Sequence, residues 1–186
     1  TFDYEKVKDP RYFCDGRMYA PNSEVTVEAD MAFTSVKELS VSMANGAGIR
    51  YIGTAGIRFQ SSIVSDNMDA VASDAITEGT LITASDIYEA KGEELTLTSD
   101  YTKLNVTNSG WYNETVGTYC GSICDVVESN YIRNFTARAY VTINYENSDA
   151  VTVYSSMGPV RSISQVASAV KAAGYAGIAE EYKSTI

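Results

Sequence analysis

The chain has 186 residues, 45% of them hydrophobic, which suits one domain able to bury a full core without staples. It holds no histidine, which excludes imidazole acid–base chemistry, Ser-His-Asp and Cys-His triads and imidazole metal ligands. Its 14 Lys and Arg stand against 24 Asp and Glu, a net charge of −10 that disfavours nucleic acid and anionic lipid, and no apolar run is long enough to span a membrane.

The sequence starts at Thr1 without a charged and apolar leader, so the expectation is an extracellular or cell-surface chain matured by signal-peptide removal, or an excised piece. Residues 1–24 are polar, aromatic and irregular, and Pro10 and Pro21 argue against a long helix there. Val25–Val27 with Ala32-Phe33, and then Val36–Val41, read as strands. Gly48-Ile49-Arg50 recurs as Gly56-Ile57-Arg58, each leading into an aromatic, Tyr51 or Phe59. The repeat predicts two strands around a glycine-rich turn, apolar on one side with arginine on the other.

Met68, Val71, Ala72 and Ala75 have helical spacing within residues 66–76. Residues 78–87 read as a strand ending in a turn, and Leu95–Thr98 alternates. Residues 105–118 form a Gly/Asn-rich loop or edge that carries Trp111, the only tryptophan. Phe135 to Tyr145 alternates strictly, with Phe135, Ala137, Ala139, Val141, Ile143 and Tyr145 on one face. Residues 146–149 turn, and 150–155 return as a hairpin. Ser162 and Gln165 make a capping box before the stripe Ile163, Val166, Ala167, Val170 and Ala173, which Gly174 stops. A second short helix is expected over Ile178–Lys183.

Four of these blocks together resemble an uncharacterised extracellular module of clostridial and related Gram-positive surface proteins. They are GAGIRYIGTAGIRF (46–59), EGTLITASDI (78–87), SNYIRNFTARAYVTI (129–143) and VYSSMGPVRSISQVASA (153–169). The resemblance covers roughly residues 42–173 and leaves out both ends and the Cys120/Cys124 pair. It implies a fold and an extracellular setting, beside Ig-like, wall-anchoring or dockerin segments, and no catalytic residue.

The expected architecture is a mainly β, antiparallel sandwich, Ig-like or jelly-roll-like, with a C-terminal helix. It is read as one domain over 1–186: an extension at 1–24, the sandwich at 25–160 and a helical segment at 161–186. Cys14, Cys120 and Cys124 suggest one disulfide from Cys14 to Cys120 or Cys124, with the third thiol buried or paired with another chain; three small buried hydrophobes are the other reading.

Arg50, Arg58, Arg138 and Arg161 either converge on a carboxylate or acidic glycan, or each pairs locally and covers apolar surface. Trp111 and Tyr112 in their polar stretch offer faces on which sugar rings could stack. Arg58 and Arg138 join them as candidate ligand-binding residues. Asn105, Asn113 and Asn134 open glycosylation sequons, expected to be unused in a bacterial protein. Acid pairs at Asp66/Asp69, Glu93/Glu94 and Glu146/Asp149 suggest calcium at most, and none matches a spaced calcium loop. No other cofactor or metal is expected.

The expected role is therefore non-enzymatic: a secreted structural or interaction module, a fibre subunit binding copies of itself or other surface proteins through its terminal segments. A carbohydrate-binding module is the alternative, and a polysaccharide-acting hydrolase the remote one.

Overall fold

The computed structural model describes residues 11–27, 30–100, 106–113 and 116–186, with the backbone alone for 106–112. Near the start, Asp15-Gly16 turns β1 (Arg11–Cys14) onto β2 (Arg17–Tyr19), with φ of +49° and +79°. Those signs are what a two-residue hairpin turn demands, and Asp-Gly supplies them. β3 (Thr34–Val36) pairs with the other side of β1, giving the order β2-β1-β3. The segment expected to be irregular thus holds a hairpin. Val25–Val27, expected as a strand, is not one; Val27 is 64% exposed and buries nothing that would hold it in a sheet.

The expected strand 36–41 is broken at Lys37-Glu38. Both backbone N–H groups donate to the Asp66 carboxylate, at 3.1–3.2 Å, in place of a ladder partner. β4 (Leu39–Arg50) and β5 (Gly56–Ser65) then form the predicted hairpin. α1 (Met68–Val71) is N-capped by the Asn67 side chain and stops before the predicted stripe ends. β6 (Ile76–Ala84) leads into α2 (Ser85–Lys91), where a turn was expected. Leu95–Thr98 is a turn rather than a strand: Thr96 N–H donates to Ser99 Oγ, Leu95 is fully buried and Leu97 is exposed.

β7 (Val106–Asn113) and β8 (Thr118–Cys124) complete a four-stranded sheet, β4-β5-β8-β7. β9 (Phe135–Ile143) and β10 (Val151–Tyr154) form the predicted hairpin in a three-stranded sheet, β10-β9-β6. α3 (Ile163–Ala172) starts at the predicted capping box, with both reciprocal hydrogen bonds made. The second helical piece is a short 3₁₀ turn over Glu180–Thr185. The fold is mainly β, with three antiparallel sheets and a C-terminal helix; neither larger sheet closes on itself.

Side chains from the two larger sheets share two apolar clusters. One joins Val41, Ile63 and Tyr119 to Ile76, Val141 and Ile143, and takes in Met18 and Val36 from the small sheet. The other joins Ile57, Phe59 and Ile123 to Ile82, Phe135 and Ala137, and is covered by Val166 of α3. The strict alternation of β9 is what feeds both: its odd-numbered positions Phe135 to Ile143 are each at most 4% exposed.

The expected disulfide is absent: Cys14, Cys120 and Cys124 are free thiols. Cys14 lies in the small sheet, whereas Cys120 and Cys124 both lie in β8. Cys120 and Cys124 are out of reach of each other as well, since four residues along one strand span about 13 Å. The Cys14 thiol is pushed up in pKa by desolvation and by the neighbouring Asp15 carboxylate, and burial pushes up that of Cys120. Both are therefore poor nucleophiles.

One carboxylate points inward. Glu78 on the edge strand β6 sits opposite Val141 in register, half-buried, and desolvation raises its pKa. A raised acid favours folding below its unfolded pKa of about 4.3 and loses that contribution as pH climbs through the folded value. Glu78→Gln is therefore expected to raise the melting temperature at pH 7 and to change nothing at pH 3.5. Thermal scans of both chains at the two pH values check this; an equal midpoint at pH 7 would contradict it.

Candidate functional site

The two Gly-Ile-Arg repeats lie directly across from each other. Gly48 pairs with Arg58, Ile49 with Ile57, and Arg50 with Gly56. The isoleucines face the second cluster, Ile57 fully buried, and the arginines face away from it. Each arginine is opposite the other repeat's glycine, but only at Gly48 does the missing side chain leave room for a guanidinium; at Gly56 the backbone of Ile123 fills that space. A methyl group on Gly48 would touch Arg58 Nε and Nη2 at 3.5 Å, which places the Arg58 guanidinium along that glycine.

The four arginines do not converge. Arg58 lies beside Gly48 and close enough to Cys120 to act on its thiol. Arg138 lies on the outer side of the other sheet. Its Nε donates to Ser155 O at 2.7 Å and its Nη1 to Leu95 O at 3.0 Å, it pairs with Glu94, and its guanidinium sits 4.7 Å from the Tyr154 ring centroid. It is a structural pin for the loop containing Leu95. Arg161 exchanges backbone hydrogen bonds with Phe135 and donates from its side chain to Val160 O. Of the four, only Arg50 lines the cleft at the end of the β4–β5 hairpin, while Arg161 lines a separate groove against α3.

That cleft, of about 600 Å³, lies at the end of the β4–β5 hairpin, where residues 125–131, α3 and the last two residues, Thr185 and Ile186, meet. Such a volume suits a small ligand or one or two residues of a polymer. The helix contributes Ser164, Ala167, Ser168 and Lys171 at i, i+3, i+4 and i+7, one face of short side chains ending in a cation. Tyr51 and Tyr131 add aromatic walls, and the Tyr51 ring meets Tyr182 at 5.3 Å. The charged lining is Arg50, Lys171 and Asp125. Among the described residues neither Arg50 nor Lys171 forms an ion pair, in a chain of net charge −10. Val127 in the lining is 61% exposed, and Ile52 and Ile132, next in sequence to Tyr51 and Tyr131, are 62% and 79% exposed.

The side chains of Trp111 and Tyr112 lie outside the described residues, as does Asn105. Asn113 is exposed at the end of β7 and accepts from Val116 N–H. Asn134 is exposed, but its sequon hydroxyl on Thr136 is buried and donates to Gly158 O. The acid pairs are engaged elsewhere: Asp66 with backbone N–H groups, Glu94 with Arg138, Glu146 with Arg17. No group of three or more His, Cys, Asp or Glu side chains placed to hold a metal ion occurs among the described residues.

Sequence reasoning singled out Arg50, the hairpin and the terminal segments, but not Tyr131 or Lys171. The one available signal was the serine and lysine spacing on the exposed side of α3. Comparison with protein-family models, curated proteins and solved structures gives no match to this chain.

Proposed function

We propose that the chain is a non-enzymatic, secreted structural module: an antiparallel β-sandwich, Ig-like or jelly-roll-like, of the Gram-positive surface type that its sequence blocks resemble. Its role is that of a subunit in an extracellular fibre, with copies of itself as partners. The observation that supports this is how the C-terminal segment is held. No residue of Glu180–Thr185 is buried. The segment follows three left-handed residues, Gly174, Tyr175 and Gly177, and rests on the body through the Tyr51–Tyr182 contact.

A lightly held segment on a hinge can take the same seat on a second copy. Exchange of identical contacts costs little, and head-to-tail exchange builds an open chain. Residues 11–19 are held more firmly, since Met18 is buried in the first apolar cluster and its carbonyl accepts from Glu146 N–H. Extracellular filaments are the expected product.

Electron microscopy of the concentrated full chain should show filaments or ordered sheets. Deleting residues 178–186 should leave dispersed particles that keep a β-type circular dichroism spectrum. A full chain that stays monomeric, or a deletion that assembles as well as the full chain, would overturn the reading.

A further inference from the structure

We propose that the cleft between the β4–β5 hairpin and α3 binds an acidic carbohydrate, with Arg50 and Lys171 holding its carboxylates and Tyr51 and Tyr131 stacking on its rings. The site does not depend on assembly: its lining is the same whether Thr185 and Ile186 come from the same chain or an exchanged one.

Three observations converge on this ligand class. The first is charge. Arg50 and Lys171 line one cleft without an ion pair among the described residues, opposed among the lining side chains by Asp125 alone, while the chain as a whole is strongly acidic. Two cations left unneutralised in a concave site attract an anion locally that the rest of the surface repels. Arg50 has the planar fork that matches a carboxylate, and Lys171 supplies a mobile point charge beside it.

The second is the mixed wall. Tyr51 and Tyr131 supply flat apolar bodies with hydroxyl tips, and Ser164 and Ser168 add small donors and acceptors one helical turn apart. Sugars need that combination, since a pyranose ring has apolar C–H faces and a polar rim. Asp125 fits the same picture, as a carboxylate able to accept from sugar hydroxyls.

The third is position. The cleft lies at the ends of β4 and β5 rather than along a strand edge. It therefore offers no ladder of backbone groups to an extended peptide, which is how a sheet captures one. Side chains alone would hold the ligand, as suits a glycan. A volume of about 600 Å³ takes one or two sugar rings of a longer chain, with the open mouth leaving room for the remainder.

The probe is tetragalacturonate, titrated calorimetrically into the full chain, with its methyl ester as the uncharged twin and tetraglutamate as the peptide control. The acid form should bind, and the ester should bind about tenfold more weakly or less, as expected when a charged hydrogen-bond partner is lost. Arg50→Gln and Lys171→Gln should each weaken the acid form about as much, and added salt should do the same. Arg17→Gln, in the small sheet, should bind as the parent does. Unchanged melting temperatures in the cleft variants separate lost binding from lost folding. Equal affinity for acid and ester, no binding of either, or insensitivity to both cleft variants would overturn the proposal. Binding of tetraglutamate in place of the sugar acid would overturn it too, and would reassign the cleft to an acidic peptide.

Discussion

Alanine at Gly56 should destabilise the fold by about 3 kcal/mol or more, at the upper end of what overpacking costs. Alanine at Gly48, the same position of the other repeat, should cost less than about 1 kcal/mol. The difference lies in what each new methyl group would meet. At Gly56 it would fall 1.9 Å from the carbonyl oxygen of Ile123 and 2.8 Å from its carbon. Those are backbone atoms of β8, which pairs with β5 over seven residues from Gly56–Cys124 to Ser62–Thr118. They cannot retreat without parting two central strands. At Gly48 it would meet the end of the Arg58 side chain at 3.5 Å, an ordinary contact. Replacing glycine in a strand also recovers about 0.5–1 kcal/mol of backbone entropy. Urea unfolding of the two variants checks this, and equal midpoints would show that the repeats are equivalent after all.

Methionine at Arg138 should cost about 3 kcal/mol, a fall of roughly 6–12 °C in melting temperature for a chain of this size. The side chain is 13% exposed and binds two backbone carbonyls, of Ser155 and Leu95, that belong to two separate non-strand segments. An apolar replacement leaves both carbonyls without their donor and removes the cation from the Tyr154 ring. The loop that carries Leu95 into the protein then loses its anchor. Glu94→Gln is the internal control. Its side chain is 79% exposed, so the ion pair is worth about 0.5 kcal/mol or less and its loss should hardly register. Calorimetry of the two variants, with limited proteolysis of residues 92–99, decides whether Arg138 is a pin or a surface group.

Where the sequence imposed a single period over a long run, the structure follows it. β9 and its hairpin partner rest on nine residues of unbroken alternation, and α3 rests on a capping box whose two hydrogen bonds are both made. The β1–β2 hairpin escaped notice because its strands are four and three residues long, yet Asp15-Gly16 carried the turn signal. Leu95 and Leu97 misled for the opposite reason: they alternate, but one is a plug and the other lies in solvent. α2 was hidden by the strand it follows, since nothing in Ser85-Asp86 marks a change of period without Asn134 there to receive the Ser85 N–H. The cleft was least legible of all. Its walls come from four segments that only the fold brings together, and each looks ordinary alone.

The bulge in β4 has a wider consequence. It falls between Met43 and Ala47, and Met43 packs against both apolar clusters while its sulfur accepts the Ser61 hydroxyl. An unbranched thioether can reach both ways where a stiffer side chain could not. The interior therefore has no plane along which it can come apart in halves. Strands β5, β8 and β9 each serve both clusters, and Met43 spans the seam from the side. Heat or denaturant is expected to take the two halves down together, in one cooperative transition that a calorimetric scan would record as a single peak.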